Sequence, residues 1–318
     1  MKREEGLLET RLTRRLALGG AAALSLAPAA RAQDLTKASI ALLRLSSSGP
    51  VFIALEKGWF KEAGVDLTLK EFTAAAQVPL AIVSGDADFG TTAFTAGFYN
   101  LAAKGGLKVI AAQSAERPGF QLNVIAVTKQ AWDAGVRSIK DLAGKRVAMT
   151  TAGSSMHYSI EILARKYGID AKTITMVPLQ SLPNMAAAFK GGQVDAASFP
   201  ITTYRQVESE AGGHVIAYVG DEAPWQLGAV FTSPKTITER RPLVEKFLVG
   251  YRRGTAAYNQ AFGKRENGKL VPGPNYDEMI ALLSKVLKQP PERVAQGLPF
   301  IDPEGRLDVG DIYKQVAF

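Results

Sequence analysis

The sequence predicts an α/β protein of two similar lobes, each carrying a mostly parallel sheet, with a cleft between them. Three observations carry this. One short module occurs in each half. Gly64-Val65-Asp66 opens a strand-like stretch and, 21 residues on, Gly85-Asp86-Ala87-Asp88-Phe89 opens another; Gly168-Ile169-Asp170 and, 24 residues on, Gly192-Gln193-Val194-Asp195-Ala196 repeat the arrangement. A βαβ unit repeated in this way reads as two related lobes. Strand and helix patterns also alternate through the first two thirds of the chain, the mark of largely parallel sheets covered by helices. Finally, 318 residues, 47% of them hydrophobic, suffice for two bodies of about 150 residues each. A hydroxyl stands at the matching point of each half, Thr91-Thr92 in one and Ser198 in the other.

The elements follow in order. Ser39 to Leu43 reads as a buried strand and leads into the loop Leu45-Ser46-Ser47-Ser48-Gly49. Pro50 suits the first position of a helix with Val51, Phe52 and Leu55 on its apolar face, and Gly58 ends it in the left-handed conformation. Val65 to Phe72 alternates like a strand; Pro79 to Val83 is helical, Asp88 to Gly90 a short strand, Thr92 to Ala103 a helix, and Lys108 to Gln113 a buried strand. Asn123 to Thr128 leaves the first lobe. The second lobe reads as a short helix (138–145), a strand (146–150), a helix (155–167), a strand (173–178), a helix (184–190), a strand (195–199), a helix (202–209) and a strand (214–219). Leu227 to Thr232 returns to the first lobe, so 123–128 and 227–232 are the two expected hinge strands. Helices over 241–262 and 276–288, with a shorter piece near Arg293, pack back on the first lobe.

Composition excludes several functions. The chain has no Cys, which removes disulfide frameworks, zinc–thiolate sites and cysteine nucleophiles. Its formal charge is +8, of which the first 32 residues hold +3, from six Lys/Arg against three Glu. The remaining excess is spread out with no dense basic run, so no nucleic-acid partner is expected. Residues 1–32 read as an export signal: Arg11, Arg14 and Arg15 form a basic region, Leu16 to Ala30 is an uncharged Ala/Leu-rich run, and Ala30-Arg31-Ala32 is a small-x-small cleavage pattern. The run is short of the roughly 20 residues that a membrane span needs. Thr13-Arg14-Arg15-Leu16-Ala17-Leu18 resembles a twin-arginine signal, though Ala17 stands where that pattern prefers a bulkier residue, and the general secretory route stays open. A periplasmic protein cleaved after Ala32 is the expectation.

Residues 50–67, Pro50-Val51-Phe52-Ile53-Ala54-Leu55-Glu56-Lys57-Gly58-Trp59-Phe60-Lys61-Glu62-Ala63-Gly64-Val65-Asp66-Leu67, are similar to the opening of periplasmic solute-binding proteins of ABC importers. The branch resembled serves sulfonates, taurine, nitrate and thiamine-pyrimidine precursors. Gly85-Asp86-Ala87-Asp88-Phe89-Gly90, Asp141-Leu142-Ala143-Gly144-Lys145-Arg146-Val147-Ala148 and Gly153-Ser154-Ser155 match the same branch, in order. The resemblance implies the two-lobed (type II) periplasmic binding-protein fold. It also implies a small-molecule solute closed in the cleft, delivery to an inner-membrane ABC permease, no cofactor and no catalysis, in a monomer. On this reading residues 33–126 and 228–318 form the first lobe and 127–227 the second.

In open α/β sheets ligands sit beyond the carboxyl ends of the strands. The candidates there are Ser46, Ser47, Ser48, Gln77, Thr91, Thr92, Ser114, Ser154, Ser155 and Thr202. Most precede a helix, whose free N–H groups and dipole favour an anion such as a sulfonate, carboxylate or phosphate. Ser and Thr are common helix caps, and capping is the commoner role for any one of them. Arg44 either faces the ligand or makes a surface ion pair. His157 donates to an anion or is locally bonded, and Trp225 stacks on a planar ligand or packs at the hinge. Glu116 repels an anion or binds a ligand amine. A sulfonate-like solute is the first expectation; a pyrimidine or other nitrogen-containing molecule held by Trp225 and Glu116 is the alternative.

Catalysis finds little machinery. There are two His, and no H-E-x-x-H, G-x-S-x-G, phosphate-binding or dinucleotide-binding glycine motif. Pyrimidine-synthesis enzymes of this fold depend on a cysteine-rich segment and histidine, which leaves that reading distant. The effector domain of a transcription regulator would need a DNA-binding segment where the export signal stands.

Overall fold

The computed structural model describes residues 35–318; the export-signal reading of residues 1–32 lies outside the described residues. The strands of the two main sheets are β1 (Thr36–Leu42), β2 (Val65–Glu71), β3 (Phe89–Ala93), β4 (Lys108–Ala112), β5 (Asn123–Val127), β6 (Arg146–Met149), β7 (Thr175–Pro178), β8 (Ala196–Pro200), β9 (His214–Tyr218) and β10 (Gly228–Thr232). They form two five-stranded sheets, ordered β2-β1-β3-β10-β4 and β7-β6-β8-β5-β9. The two orders are the same pattern: second, first, third, an inserted strand, fourth.

Four strands of each sheet run the same way, and the inserted strand alone runs against them. The inserted strand of each sheet, β5 or β10, is the one the chain reaches after crossing from the other lobe. It enters at the cleft end, where its neighbours finish, and so must run in reverse. The crossings themselves lie slightly earlier than the sequence indicates. Ala115–Glu116 and Trp225–Gln226 pair as a short antiparallel ribbon, and β5 and β10 are full members of the sheets rather than free hinge strands.

The repeated module has a structural role in both lobes. Asp88 accepts the Ser39 N–H at 2.8 Å, and Asp195 accepts the Arg146 N–H at 2.8 Å. Each carboxylate thus tethers the first strand of its lobe to the third, and each is paired with an arginine, Arg240 or Arg146.

Strand side chains alternate between faces. Ile40, Leu42, Phe89 and Val230 meet Phe52, Phe247, Tyr251 and Leu283 from helices Gly49–Glu56, Arg241–Phe262 and Tyr276–Leu287. Ala41, Leu43 and Phe231 belong to the other apolar cluster, which runs through Val78 and Phe98 into the second lobe's Val147, Phe189 and Phe199. Phe89 and Phe247 stack with centroids 4.0 Å apart. Strands β5, β8 and β10 are buried along their whole length, as expected for central strands covered on both faces.

Candidate functional site

A cavity lies between the sheets. The first lobe contributes Leu43, Leu45, Ser46 and Ser47 after β1, Ala74 and Ala75 after β2, Thr91 and Thr92 in β3, and Gln113 after β4. From across the cleft come Thr150 after β6, Ser155 and Met156 in the first turn of helix Ser155–Lys166, Leu182 at the start of helix Leu182–Lys190, and Pro200 before helix Ile201–Ala211. Leu122, Asn123 and Leu227 enter from the points where the inserted strands begin. The walls touch across the gap: Ala96 N–H donates to Gly153 O at 2.8 Å and Leu182 N–H to Thr73 O at 3.3 Å.

None of the lining side chains is charged. Several helix starts meet the cavity instead, and the first N–H groups of a helix have no partner within it. Ser155, Met156 and Leu182 occupy such positions, and the turn Ser46–Ser48 leads into helix Gly49–Glu56. Their dipoles give the cavity a positive bias without a cationic side chain. Thr91 Oγ1 and Gln113 Oε1 are buried with no hydrogen-bond partner in the protein. Leucines, Met156 and Pro200 supply the apolar remainder. Among the described residues no group of His, Asp and Glu is placed to hold a metal ion.

Five of the residues singled out by sequence, Ser46, Ser47, Thr91, Thr92 and Ser155, line this cavity. The others sit elsewhere. Arg44 turns outward into a two-pronged pair with Glu71 and also donates to the Val286 carbonyl. Ser48 Oγ donates to Leu43 O at 3.0 Å, closing its own turn. The Gln77 side chain accepts the Thr73 and Ala74 N–H groups and so shapes the loop beneath the cleft. Ser114 is buried beside the cavity, its carbonyl accepting from Gln226, Leu227 and Gly228 and its hydroxyl unpaired. Thr202 is packed against Gly297, where a Cβ would come within 2.5 Å of its Cγ2.

Ser154, His157 and Trp225 belong to a second hollow behind the first, shared with Tyr99, Tyr158 and Phe318. Ser154 caps its helix by accepting the His157 N–H, and the His157 ring accepts the Gly153 N–H through Nδ1. Trp225 packs edge-on against Tyr158. Trp225 is therefore hinge packing in this conformation.

Sequence reasoning passed over Gln113, Asn123 and Thr150. Gln113 and Thr150 stand at strand carboxyl ends, one to four residues from sites it did choose. Asn123 could not be found that way, because it opens a reversed strand and reaches the cleft from its amino end.

Behind Asn123 lies Glu116, fully buried in the crossing ribbon. Asn123 Nδ2 donates to Glu116 Oε1 at 2.7 Å, while Oε2 is unpaired. Burial pushes this carboxyl up to about 8, against the pull of Asn123 and, more weakly, of the Gly220 backbone, and the nearby Asp221 adds to the rise. At neutral pH it is held as the uncharged acid.

The fold is that of the two-lobed periplasmic binding proteins. The structure is similar to the alkanesulfonate-binding protein SsuA of Xanthomonas axonopodis bound to MOPS, at 22% identity and a TM-score of 0.70 over 88% of this chain and 90% of that one. It is also similar to the aliphatic sulphonate binding protein SsuA of Escherichia coli (20% identity, TM-score 0.64, 82% of each chain). A third is the nitrate-binding protein NrtA of Synechocystis (16%, 0.66, 82% of this chain and 69% of that one). No curated protein matches the sequence. Residues 46–261 match the family described as NMT1/THI5 like, and the chain belongs to that family.

Proposed function

We propose that this protein is the exported, periplasmic substrate-binding component of an ABC importer. It captures a small organic anion, sulfonate-like, in the inter-lobe cleft and hands it to a membrane permease. The observation that carries this reading is the cleft's neutral lining beneath several helix N-termini, which supplies hydrogen-bond donors and positive potential while its leucines accept an apolar body. Residues 35–114 and 227–318 form one moving body and 117–224 the other, with the ribbon Ala115–Glu116/Trp225–Gln226 as the pivot. Ser46, Ser47, Thr91, Thr92 and Ser155, joined by Gln113, Asn123 and Thr150, are the ligand contacts. The protein works as a monomer without a cofactor. The cleft has no His, Asp, Glu, Lys or Arg to serve as acid or base, which favours binding over catalysis.

A second reading, a neutral or cationic nitrogen-containing solute, draws on one observation. Asn123 gives one amide N–H to Glu116 and its Oδ1 accepts no hydrogen bond from the described residues, which leaves an acceptor for the cavity. Trp225, first considered as its stacking platform, is outside the cleft. A thermal-shift screen of sulfonates, carboxylates, nitrate and pyrimidines decides between the two. Stabilisation by a sulfonate or carboxylate is expected, and stabilisation by pyrimidines alone would reject the anion.

A further inference from the structure

Among the described residues, Glu116 is the one carboxyl hydrogen-bonded to a side chain that lines the cavity. It has no exposed surface, sits in the crossing ribbon opposite Trp225, and is bonded to Asn123, itself almost fully buried and lining the cavity. Among the described residues no Lys, Arg or His pairs with it. Arg117, its neighbour in sequence, points its guanidinium at the Glu116 carbonyl and at Asp308, 3.4 Å away. Asp221, which accepts the Gly119 N–H, bears on the carboxyl with negative charge, and Asp311 is engaged by Gln226 on the paired strand. The chemistry of the pair then depends on one proton. An ionised carboxylate can only accept, so it requires Asn123 to give Nδ2–H and to keep Oδ1 toward the cavity; the protonated acid can donate, and frees the amide to turn its N–H outward.

Resting on the anion reading above, we propose that Glu116 is a positioning residue whose proton gates the cleft. As the neutral acid it permits anion binding; once ionised it fixes an acceptor oxygen, backed by a buried negative charge, in the wall of the anion site. The protein would therefore hold its solute at neutral pH and release it as the medium turns alkaline. By linkage, a bound anion must in turn make Glu116 harder to ionise.

1-Propanesulfonate is a suitable probe because its charge does not change over the range. Its Kd for the wild-type protein should rise by about tenfold or more between about pH 7 and about pH 9.5. Glu116→Gln, which mimics the neutral acid, should bind at both pH values with less than about twofold change. A carboxyl-detected NMR titration of wild-type Glu116, with and without saturating probe, gives a second readout that needs no variant; the midpoint should move to higher pH with the probe. A pH-independent Kd in the wild type, an equal pH loss in Glu116→Gln, or an unmoved midpoint with the probe bound would overturn the gate and leave the anion reading intact. Failure of the probe and of other sulfonates and carboxylates to bind at any pH would overturn the anion reading, and the gate with it.

Discussion

At the scale of single residues the site is defined by polar atoms that the fold buries without a partner. An unpaired buried hydroxyl costs about 1–3 kcal/mol, so one that persists at a cavity wall points to a ligand that completes it. Thr91 Oγ1 is such an atom. Thr91→Val is therefore expected to leave the ligand-free melting temperature unchanged or higher, while weakening solute binding about tenfold; calorimetry on both proteins checks it. Ser198, at the equivalent position of β8, is equally unpaired but does not line the cavity, so the two halves have diverged in use. Glu116 makes the opposite bargain with stability. Its ordinary value of 4.5 is that of the unfolded chain, against about 8 in the fold. Stability fully present below pH 4.5 is thus lost as pH rises to about 8, by roughly 4–5 kcal/mol for a fully buried group. Glu116→Gln should abolish this loss: denaturant midpoints of wild type and variant should diverge with rising pH in that window, the variant being the more stable, and parallel curves would count against it.

At the scale of elements, close approach governs the first lobe. Helix Arg241–Phe262 lies across helix Gly49–Glu56 at Gly254, where a Cβ would stand 2.1 Å from the Pro50 carbonyl oxygen. Since the obstacle is backbone, neither helix can yield cheaply. Gly254→Ala is expected to cost about 2–3 kcal/mol, read as a lower denaturant midpoint with unchanged slope. The C-terminal helix Val309–Ala317 is one of the elements the sequence did not announce, with helices Lys129–Asp133 and Pro234–Glu239. It docks by its polar side. Asp311 accepts the Gln226 N–H at 2.6 Å, and Gln315 donates to the Gln226 carbonyl while accepting from Tyr99. Val309, Tyr313 and Val316 face outward, with Tyr313 72% exposed. An apolar stripe normally marks the buried face; here hydrogen bonds to the crossing ribbon set the orientation, and no periodicity could show that.

At the scale of the whole molecule, the two sheets are joined by one short ribbon and touch across the cleft at points such as Ala96–Gly153 and Thr73–Leu182. Contacts of this kind form only when the lobes are together, and a ligand bridging the walls favours that state by its differential affinity. Small-angle scattering should show a smaller radius of gyration with saturating solute than without. An identical profile in the presence of a tight ligand would sink hinge closure.

Much of this architecture was legible beforehand because it depends on local patterns. Alternating apolar runs, Pro50 at a helix start, Gly58 at its end and the twice-used Asp located nearly every strand and helix of both sheets, and with them the two-lobed class. The serines and threonines at Ser46, Ser47, Thr91, Thr92 and Ser155 were legible too, since a strand's carboxyl end can be read from its own residues. What only the tertiary structure decided was which polar residues turn inward. Asn123 reaches the cleft because β5 runs backward, Arg44 leaves it because Glu71 is nearer, and Glu116 keeps its proton because the ribbon seals it from water. Each depends on a neighbour distant in sequence, and a distance across space leaves no period along the chain.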